Sequence, residues 1–260
     1  MSDIKTAVTS FRENGYVVFR SALEADLVDN FWDDVEFQIQ NNMNLTMAEY
    51  GKIIKNAEIM GRLLTTQNTV LRIIDLEKHS EQIPAVMLSP VVTDFLMSYY
   101  GSAPSVLQTL TYKYSSQQGA HSDLYLVNPP TTGTKYNRQS LAAAWFACEE
   151  ANKNNGALVI YPKSHLLDKK LYTDFDSYAA YVQYLEELCA NNGIKPEIFE
   201  AKKGDILFWH GDFVHAGGAI ESPNMTRKSL VVHYANISLT DDRFDVNLER
   251  HKYGNGYYFK

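Results

Sequence analysis

The sequence predicts a mainly β protein with flanking helices, whose strands form a double-stranded β-helix, a jelly-roll barrel of the cupin type. Three observations favour this fold. From residue 105 onward, eight short β-compatible segments are separated by long connections, as in a jelly roll. One segment carries His121-Ser122-Asp123, and a later one carries His215. The first hundred residues contain helical patterns, which fit helices outside the barrel.

The N-terminal part of the chain predicts a helix at residues 4–14, a strand at 16–20 and a helix at 23–41. Residues 46–80 are polar and helical in tendency, and they show no recognisable chemistry. Pro90 begins another helix that ends near Gly101, because apolar residues recur between them at helical spacing. We interpret this apolar stripe as core.

The predicted strands follow from residue 105, and a helical insertion at about 174–191 interrupts them. The strands are 105–114, 118–127, 140–148, 156–161, 197–201, 205–210, 213–217 and 228–237. A chain of 260 residues is long enough for one sizeable core, so we expect a single domain over residues 1–260.

Composition excludes several classes of function. The chain has 24 Lys and Arg against 31 Asp and Glu, a net charge of −7, so nucleic acid is not an expected partner. No apolar run approaches the roughly 20 residues that span a membrane. With no export signal at the N-terminus, we expect a cytoplasmic protein in which Cys148 and Cys189 stay reduced.

The pattern His121-Ser122-Asp123 predicts a metal site. Residues i and i+2 of a strand share one face, so His121 and Asp123 project together while Ser122 turns away. Two histidines and one carboxylate form the facial triad of non-haem Fe(II) oxygenases. A second such pattern, His210-Gly211-Asp212, ends an apolar strand, and we interpret its histidine as structural.

Arg227 and Ser229 lie at the start of the last predicted strand, on one strand face. A planar guanidinium suits bidentate capture of a carboxylate, and a hydroxyl can donate a further hydrogen bond. The competing interpretation is a surface arginine at the entrance of a strand. The preceding His215 favours the functional interpretation.

The chain resembles the phytanoyl-CoA dioxygenase-like family of Fe(II)/2-oxoglutarate-dependent oxygenases. The order of H-x-D, distal histidine and arginine twelve residues later matches the family, as do residues 11–18, 145–150, 155–165 and the Gly204-Asp205 turn. The resemblance extends from about residue 8 to residue 237. Lys163 departs from it, because the family commonly has glycine there, at a turn outside the metal site.

The resemblance implies a role for several residues. His121, Asp123 and His215 would bind Fe(II), and Arg227, helped by Ser229, would hold the distal carboxylate of 2-oxoglutarate. A glutamine before the H-x-D motif would bind the near end of this co-substrate. Gln118 matches the family better, although strand parity favours Gln117.

The substrate side is less defined by the sequence. Tyr125 extends the face of His121 and Asp123, so it either lines the substrate pocket or belongs to the core. The polar loop at 128–139 is either a lid, in which Arg138 or Lys135 meets an anionic group, or a solvated loop.

The resemblance implies an enzyme that uses Fe(II), 2-oxoglutarate and O₂ to hydroxylate a small-molecule metabolite or biosynthetic intermediate. The intact Asp123 argues against halogenation, which needs a small residue at that position. Desaturation or cyclisation by the same chemistry stays open. So does a jelly-roll hydrolase or isomerase that does not use 2-oxoglutarate, and so does a binding protein that has lost activity. The sequence gives no indication of oligomeric state.

Overall fold

Two antiparallel sheets face each other in the computed structural model, and helices cover the outer face of the larger sheet. The structure describes residues 3–49, 52–55, 71–124, 141–222, 224–236 and 248–260. Within these ranges, the larger sheet has ten strands and the smaller sheet has three. This arrangement of two packed sheets is the predicted jelly roll.

Four of the five described α-helices agree closely with predicted ones, and the short helix at Ile83–Met87 was not predicted. The described α-helices are α1 (Ile4–Asn14), α2 (Ala25–Asn41), α3 (Ile83–Met87), α4 (Pro90–Tyr100) and α5 (Tyr178–Asn191). Helix α5 begins four residues later than predicted, because the Ser177 side chain caps it by accepting from the Ala180 N–H. Helix α4 ends at Gly101, whose φ of 74° suits glycine.

The described strands are short, and most lie where the sequence predicted them. They are β1 (Tyr16–Phe19), β2 (Thr46–Glu49), β3 (Lys52–Lys55), β4 (Leu71–Ile74), β5 (Pro104–Tyr112), β6 (Leu141–Ala147), β7 (Leu158–Ile160), β8 (Glu197–Phe199), β9 (Ile206–His210), β10 (His215–Gly217), β11 (Ser229–Asn236), β12 (Arg250–Tyr253) and β13 (Gly256–Phe259).

The larger sheet runs in the order β3-β2-β4-β5-β11-β6-β9-β1, and the smaller in the order β10-β7-β8. The aromatic tail forms the hairpin β12–β13, which joins β5 through a parallel pairing of Tyr257 with Ser105. The tail therefore extends the larger sheet.

Alternation along the central strands separates two apolar cores. Ala144 and Phe146 of β6 and Phe208 of β9 pack with the helices in one core. Trp145 and Trp209 point to the opposite face and pack between the sheets in the other. The face between the sheets is the one that lines the candidate site.

Two predicted elements were wrong. Residues 46–80 contain β2, β3, β4 and a 3₁₀ turn at Leu76–Lys78 in their described part, because strands of four residues are too short to show alternation against a polar background. The predicted strand at 118–127 is, in its described part, a single bridge from His121 to His215. Its backbone hydrogen bonds to the segment at 211–217 occur at every third residue, at Gln118, His121 and Leu124.

Two local features agree with the sequence or explain a departure from it. Lys163 has a φ of 67°, the left-handed conformation that explains the glycine of the family pattern. Cys148 and Cys189 are buried and free, as predicted. In the described part of the chain, no helix has the length and apolarity needed to cross a membrane.

Candidate active site

A cavity of about 740 Å³ lies between the two sheets. Strands β4, β5, β6, β9 and β11 of the larger sheet contribute side chains to it, and β7 and β10 of the smaller sheet close it. The volume is within the range of small-molecule sites. Residues from distant parts of the chain therefore meet around one cavity.

His121, Asp123 and His215 come together in the cavity wall. Each is buried and offers one ligand atom, and the three atoms lie within 4.8 Å of one another. The Nε2 atoms of His121 and His215 are 3.7 and 3.8 Å from Asp123 Oδ1. Paired backbone hydrogen bonds of 3.0 Å between the two histidines place their side chains together.

The backbone orients both imidazoles. The Nδ1 of His121 lies 2.8 Å from the Gly119 carbonyl oxygen, and that of His215 lies 3.2 Å from the Phe213 carbonyl oxygen. If each Nδ1–H donates to its carbonyl, each Nε2 keeps a free lone pair for a metal. Burial lowers the pKa of His121 to about 3 and also lowers that of His215. Both imidazoles are therefore neutral near pH 7.

The two oxygens of Asp123 have different partners. Oδ1 faces the histidines, whereas Oδ2 accepts a 2.6 Å hydrogen bond from Trp209 Nε1 and lies 3.2 Å from His233 Nε2. Burial raises the pKa of Asp123, but the opposing influence of His215 and His233 is greater, and the pKa falls well below its usual range. Asp123 therefore stays ionised and presents one free oxygen.

The donor set fits Fe(II). Two neutral imidazole nitrogens and one carboxylate oxygen lie at one side of the cavity, and the open space beside them leaves room for further ligands. The neighbouring Trp209 indole restrains the carboxylate from outside, as hydrogen-bond partners of metal ligands commonly do.

Arg227 also lines the cavity, although only 2% of its surface is exposed. One of its nitrogens donates to the Gly156 carbonyl at 3.0 Å, its guanidinium lies over Trp145, and its Nε has no hydrogen-bond partner among the described residues. Burial lowers its pKa to about 10, so it remains charged at neutral pH. The buried Ser229 Oγ likewise lacks a hydrogen-bond partner in the part of the chain that the structure describes. Two such donors fit a carboxylate ligand.

Gln117 and Gln118 both line the cavity. The Gln117 side-chain oxygen accepts from the Ile220 N–H at 3.2 Å, and its backbone φ is 48°. Gln118 makes a side-chain hydrogen bond with Tyr178. Both amides therefore have a protein partner, and the role of Gln118 toward 2-oxoglutarate stays a prediction.

The second H-x-D pattern is structural, as predicted. His210 Nδ1 accepts from the Asp212 N–H at 3.0 Å, and the ring packs against His165. Asp212 pairs with Lys169 at 3.0 Å, and both side chains are fully buried. Neither His210 nor Asp212 belongs to the metal-binding group of the described residues.

The structure adds residues that the sequence interpretation missed, and leaves others untested. Arg72, Trp145, Trp209, His233, Tyr172 and Tyr178 line the cavity. Strand parity from Arg227 would have indicated His233, whereas Arg72 lies in the segment that was wrongly predicted. Tyr125, Arg138 and the loop at 128–139 lie outside the described residues.

Comparison with known proteins identifies the family. The sequence pattern described as Phytanoyl-CoA dioxygenase (PhyH) matches residues 11–229. The chain belongs to the phytanoyl-CoA dioxygenase family. That family is part of the Fe(II)/2-oxoglutarate-dependent oxygenase superfamily. The peroxisomal phytanoyl-CoA dioxygenases of Bos taurus and Homo sapiens are 25% and 24% identical to it over 86% of this chain. The alignment covers 66% of the length of each relative.

Solved structures of similar fold align with most of this chain. The epimerase SnoN in complex with Fe³⁺, alpha ketoglutarate and nogalamycin RO has a TM-score of 0.68 at 16% identity, covering 98% of both chains. EctD from S. alaskensis with bound Fe has a TM-score of 0.65 at 15% identity, covering 90% of this chain and 76% of its own. At these identities the likeness concerns the fold, which is the jelly roll predicted from the sequence.

Proposed function

We propose that this protein is an Fe(II)- and 2-oxoglutarate-dependent dioxygenase that hydroxylates an unactivated C–H bond of a small-molecule metabolite or biosynthetic intermediate. O₂ would supply one oxygen atom to the product hydroxyl and the other to succinate, while 2-oxoglutarate loses CO₂. The observation that carries the proposal is that a buried His121–Asp123–His215 group and the buried Arg227 line one cavity.

In this proposal His121, Asp123 and His215 hold Fe(II). When bound, the metal and its co-substrate supply the oxidising chemistry that side chains lack. The residues of the chain supply geometry and charge. The backbone carbonyls fix the imidazoles, and Trp209 fixes the carboxylate. Apolar side chains of Leu110, Leu158 and Val231 form part of the cavity wall.

Arg227 and Ser229 would bind the distal carboxylate of 2-oxoglutarate, with Gln118 near its other end. Because the Arg227 charge and the Ser229 hydroxyl are buried and incompletely paired, a carboxylate would satisfy donors that otherwise remain unmatched. The Gly156 carbonyl and the Trp145 ring hold the guanidinium in place from the protein side.

The remaining predictions concern the substrate and the setting. Tyr125 and Arg138 would contact the substrate, and residues 1–260 would act as one domain. A cytoplasmic location also stays a prediction from the sequence.

The first experiment measures succinate formed from 2-oxoglutarate with Fe(II) and O₂, first without substrate and then across a metabolite panel. The wild type should release succinate, and Asp123→Ala should not. Arg227→Gln should raise the KM for 2-oxoglutarate by about 10- to 100-fold. Arg12→Gln, an exposed change on α1, serves as the matched control. Succinate release that is unaffected in Asp123→Ala would contradict the proposal.

A second experiment separates hydroxylation from the competing reactions. With ¹⁸O₂ and an active substrate, a hydroxylase adds one labelled oxygen to the product. Desaturation or cyclisation would yield a product two hydrogens lighter without label. A hydrolase or isomerase of the same fold would act without 2-oxoglutarate, and Arg227→Ala would leave its activity intact.

A further inference from the structure

The chain contains a buried ion pair, between Lys169 and Asp212, to which the proposed function gives no role. We propose that these two are positioning residues. They hold the segment of His121 and Asp123 against the segment of His215, and so set the separation of the three ligand atoms. This inference rests on the proposed function, and it deepens that function by naming what fixes the geometry of the metal group.

The ion pair lies outside the cavity and is closed to solvent. Lys169 Nζ and Asp212 Oδ1 are 3.0 Å apart, and each of the two side chains is 0% exposed. Lys169 Nζ also donates a hydrogen bond of 3.0 Å to the Leu167 carbonyl. Neither charged residue is among those that line the cavity, so a ligand in the cavity does not meet them. Their role is therefore toward the protein itself.

Ser122 connects the ion pair to the first two candidate ligands. It stands between His121 and Asp123 in the chain, it is fully buried, and it does not line the cavity. Its Oγ is within hydrogen-bonding distance of two acceptors, the Gly211 carbonyl at 3.1 Å and Asp212 Oδ1 at 3.3 Å. A charged acceptor makes a stronger hydrogen bond than a neutral one. The residue between the two ligands is thus tied to the ion pair.

Asp212 belongs to the segment that supplies the third candidate ligand. It precedes His215 by three residues, and its neighbour Phe213 provides the carbonyl oxygen that lies 3.2 Å from His215 Nδ1. On the other side of Asp212, the Gly211 carbonyl accepts from the Leu124 N–H at 2.8 Å. The two segments that carry the ligands are therefore joined by side chains as well as by backbone, and Asp212 lies at the junction.

The energetics of burial favour a positioning role over a stabilising one. Taking an ammonium and a carboxylate out of water costs about as much as their attraction returns, and apolar side chains of similar volume are often equally stable. Charges supply direction, which apolar contacts do not, because charge-assisted hydrogen bonds restrict where both partners can lie. A completely buried Lys169–Asp212 pair beside both ligand segments is therefore expected to matter more for geometry than for stability.

The test removes the ion pair without leaving one buried charge behind. The double variant Lys169→Met/Asp212→Leu replaces both charged side chains by apolar ones. Ser122→Ala removes the connecting hydroxyl and keeps the ion pair. The matched control is Lys203→Met/Asp29→Leu, which removes a partly exposed ion pair of 2.8 Å that contacts no candidate ligand.

Three properties are measured for each full-length variant. Titration of the metal-free protein with Co(II) gives the metal affinity, and the visible absorption spectrum of the bound Co(II) reports the arrangement of its ligands. Amide hydrogen exchange of the metal-free protein, read by mass spectrometry on fragments that cover residues 121–124 and 211–217, reports how firmly the two segments are held. The melting temperature of the metal-free protein reports global stability.

We expect the double variant at Lys169 and Asp212 to bind Co(II) about 10- to 100-fold more weakly than the wild type, as when residues that orient metal ligands are removed. Its Co(II) spectrum should change and both fragments should exchange faster, whereas its melting temperature should stay near that of the wild type. Ser122→Ala should weaken Co(II) binding by about 3- to 10-fold, the effect of one hydrogen bond. The control should match the wild type in affinity, spectrum and exchange.

A folded double variant with the Co(II) affinity and spectrum of the wild type would overturn the inference, and so would unchanged exchange in both fragments. If the double variant does not fold, Ser122→Ala decides, and wild-type Co(II) affinity in that variant would overturn the inference. Failure of the proposed function is distinguishable. It would appear as absent Co(II) binding in the wild type, or as equal binding in His215→Ala, whereas hydrogen exchange tests the link between the segments without metal.

Discussion

At the scale of single residues, Asp123 shows how the surroundings determine what a ligand can do. Its Oδ2 accepts from the Trp209 indole at 2.6 Å and has His233 beside it. Its Oδ1 is left for a metal. The Trp209 ring also packs against His215, with ring centroids 4.5 Å apart. One tryptophan therefore contacts two of the three candidate ligands.

Trp209→Phe should weaken Fe(II) binding by about 10- to 100-fold, because the carboxylate loses the donor that orients it while the packing is largely kept. Titration with Fe(II) under anaerobic conditions measures the effect. Trp32→Phe is the control, since Trp32 donates to Glu36 on helix α2 and not to a metal ligand. Equal iron affinities in the two variants would contradict this role of Trp209.

Gly156 connects backbone conformation with the candidate co-substrate site. Its φ is 80°, its carbonyl accepts from Arg227, and an added Cβ would lie 2.5 Å from Ser115 Cβ and 2.6 Å from the Gly218 oxygen. Gly156→Ala should therefore lower stability by roughly 1–3 kcal/mol and weaken 2-oxoglutarate binding.

The control for this change is Gly101→Ala. Gly101 has a similar φ of 74°, but an added Cβ meets nothing within 4 Å. For Gly101→Ala, urea unfolding should show a loss of stability from backbone strain alone. Titration with 2-oxoglutarate should show unchanged co-substrate affinity. An unchanged affinity in Gly156→Ala as well would separate this glycine from the site.

The residues of the candidate metal group were predictable, although for a reason that was partly wrong. The sequence placed His121 and Asp123 on one face of a regular strand, whereas the structure has an isolated bridge and a turn there. The ligands still converge because the bridge to His215 fixes the first histidine. The inward direction of His233 and Trp209 could have been predicted from the alternation of side chains along their strands. Tertiary pairing, which a single sequence does not display, determined the rest.

At the scale of elements, the described part of residues 46–80 shows the limit of predicting secondary structure from sequence periodicity. The long strands β5 and β11 and the amphipathic helices were predicted because their periodicity extends over many residues. Strand β4 has only four residues. It pairs with β5, and its own sequence does not indicate this pairing. The cavity residue Arg72 was missed with it.

The 3₁₀ turn after β4 carries a buried acid with a perturbed pKa. Burial raises the pKa of Glu77 to about 7, and Thr109 donates a hydrogen bond to it. In the unfolded chain this pKa is near 4.5. Between these values the folded state holds a proton that the unfolded state has released, so stability falls as pH rises from 4.5 to 7.

Glu77→Gln should therefore stabilise the protein more at pH 8 than at pH 4.5, by up to about 3 kcal/mol, because the amide has no charge to bury. Urea unfolding at the two pH values measures the difference. The exposed change Glu13→Gln should show no comparable difference. An equal effect of Glu77→Gln at both pH values would show that Glu77 ionises normally in the folded protein.

At the scale of the whole molecule, the candidate metal group joins separate parts of the fold. His215 belongs to the smaller sheet, His121 and Asp123 come from a connecting segment, and Asp123 is held by Trp209 of the larger sheet. A metal at this position therefore links both layers. The jelly-roll fold and the order of its motifs along the chain could be predicted from the sequence. The close approach of the two sheets at the candidate metal group could not.

Binding of Fe(II) should stabilise the folded protein by about 2.7 kcal/mol at one hundred times the dissociation constant. For a chain of this size, that corresponds to a rise in melting temperature of roughly 5–10 °C. Calorimetry under anaerobic conditions measures the shift. His215→Ala should abolish it, whereas His251→Ala, a change at a partly exposed histidine of β12, should not. A full shift in His215→Ala would place the iron elsewhere.

Each metal-facing imidazole takes its orientation from the carbonyl of the residue two positions earlier, Gly119 for one and Phe213 for the other. Every amino acid carries that acceptor, so exchange of neighbouring side chains does not by itself remove it. A designer who wishes to reshape this pocket for a foreign compound can therefore alter its walls extensively, provided that the main-chain path through these two segments is preserved.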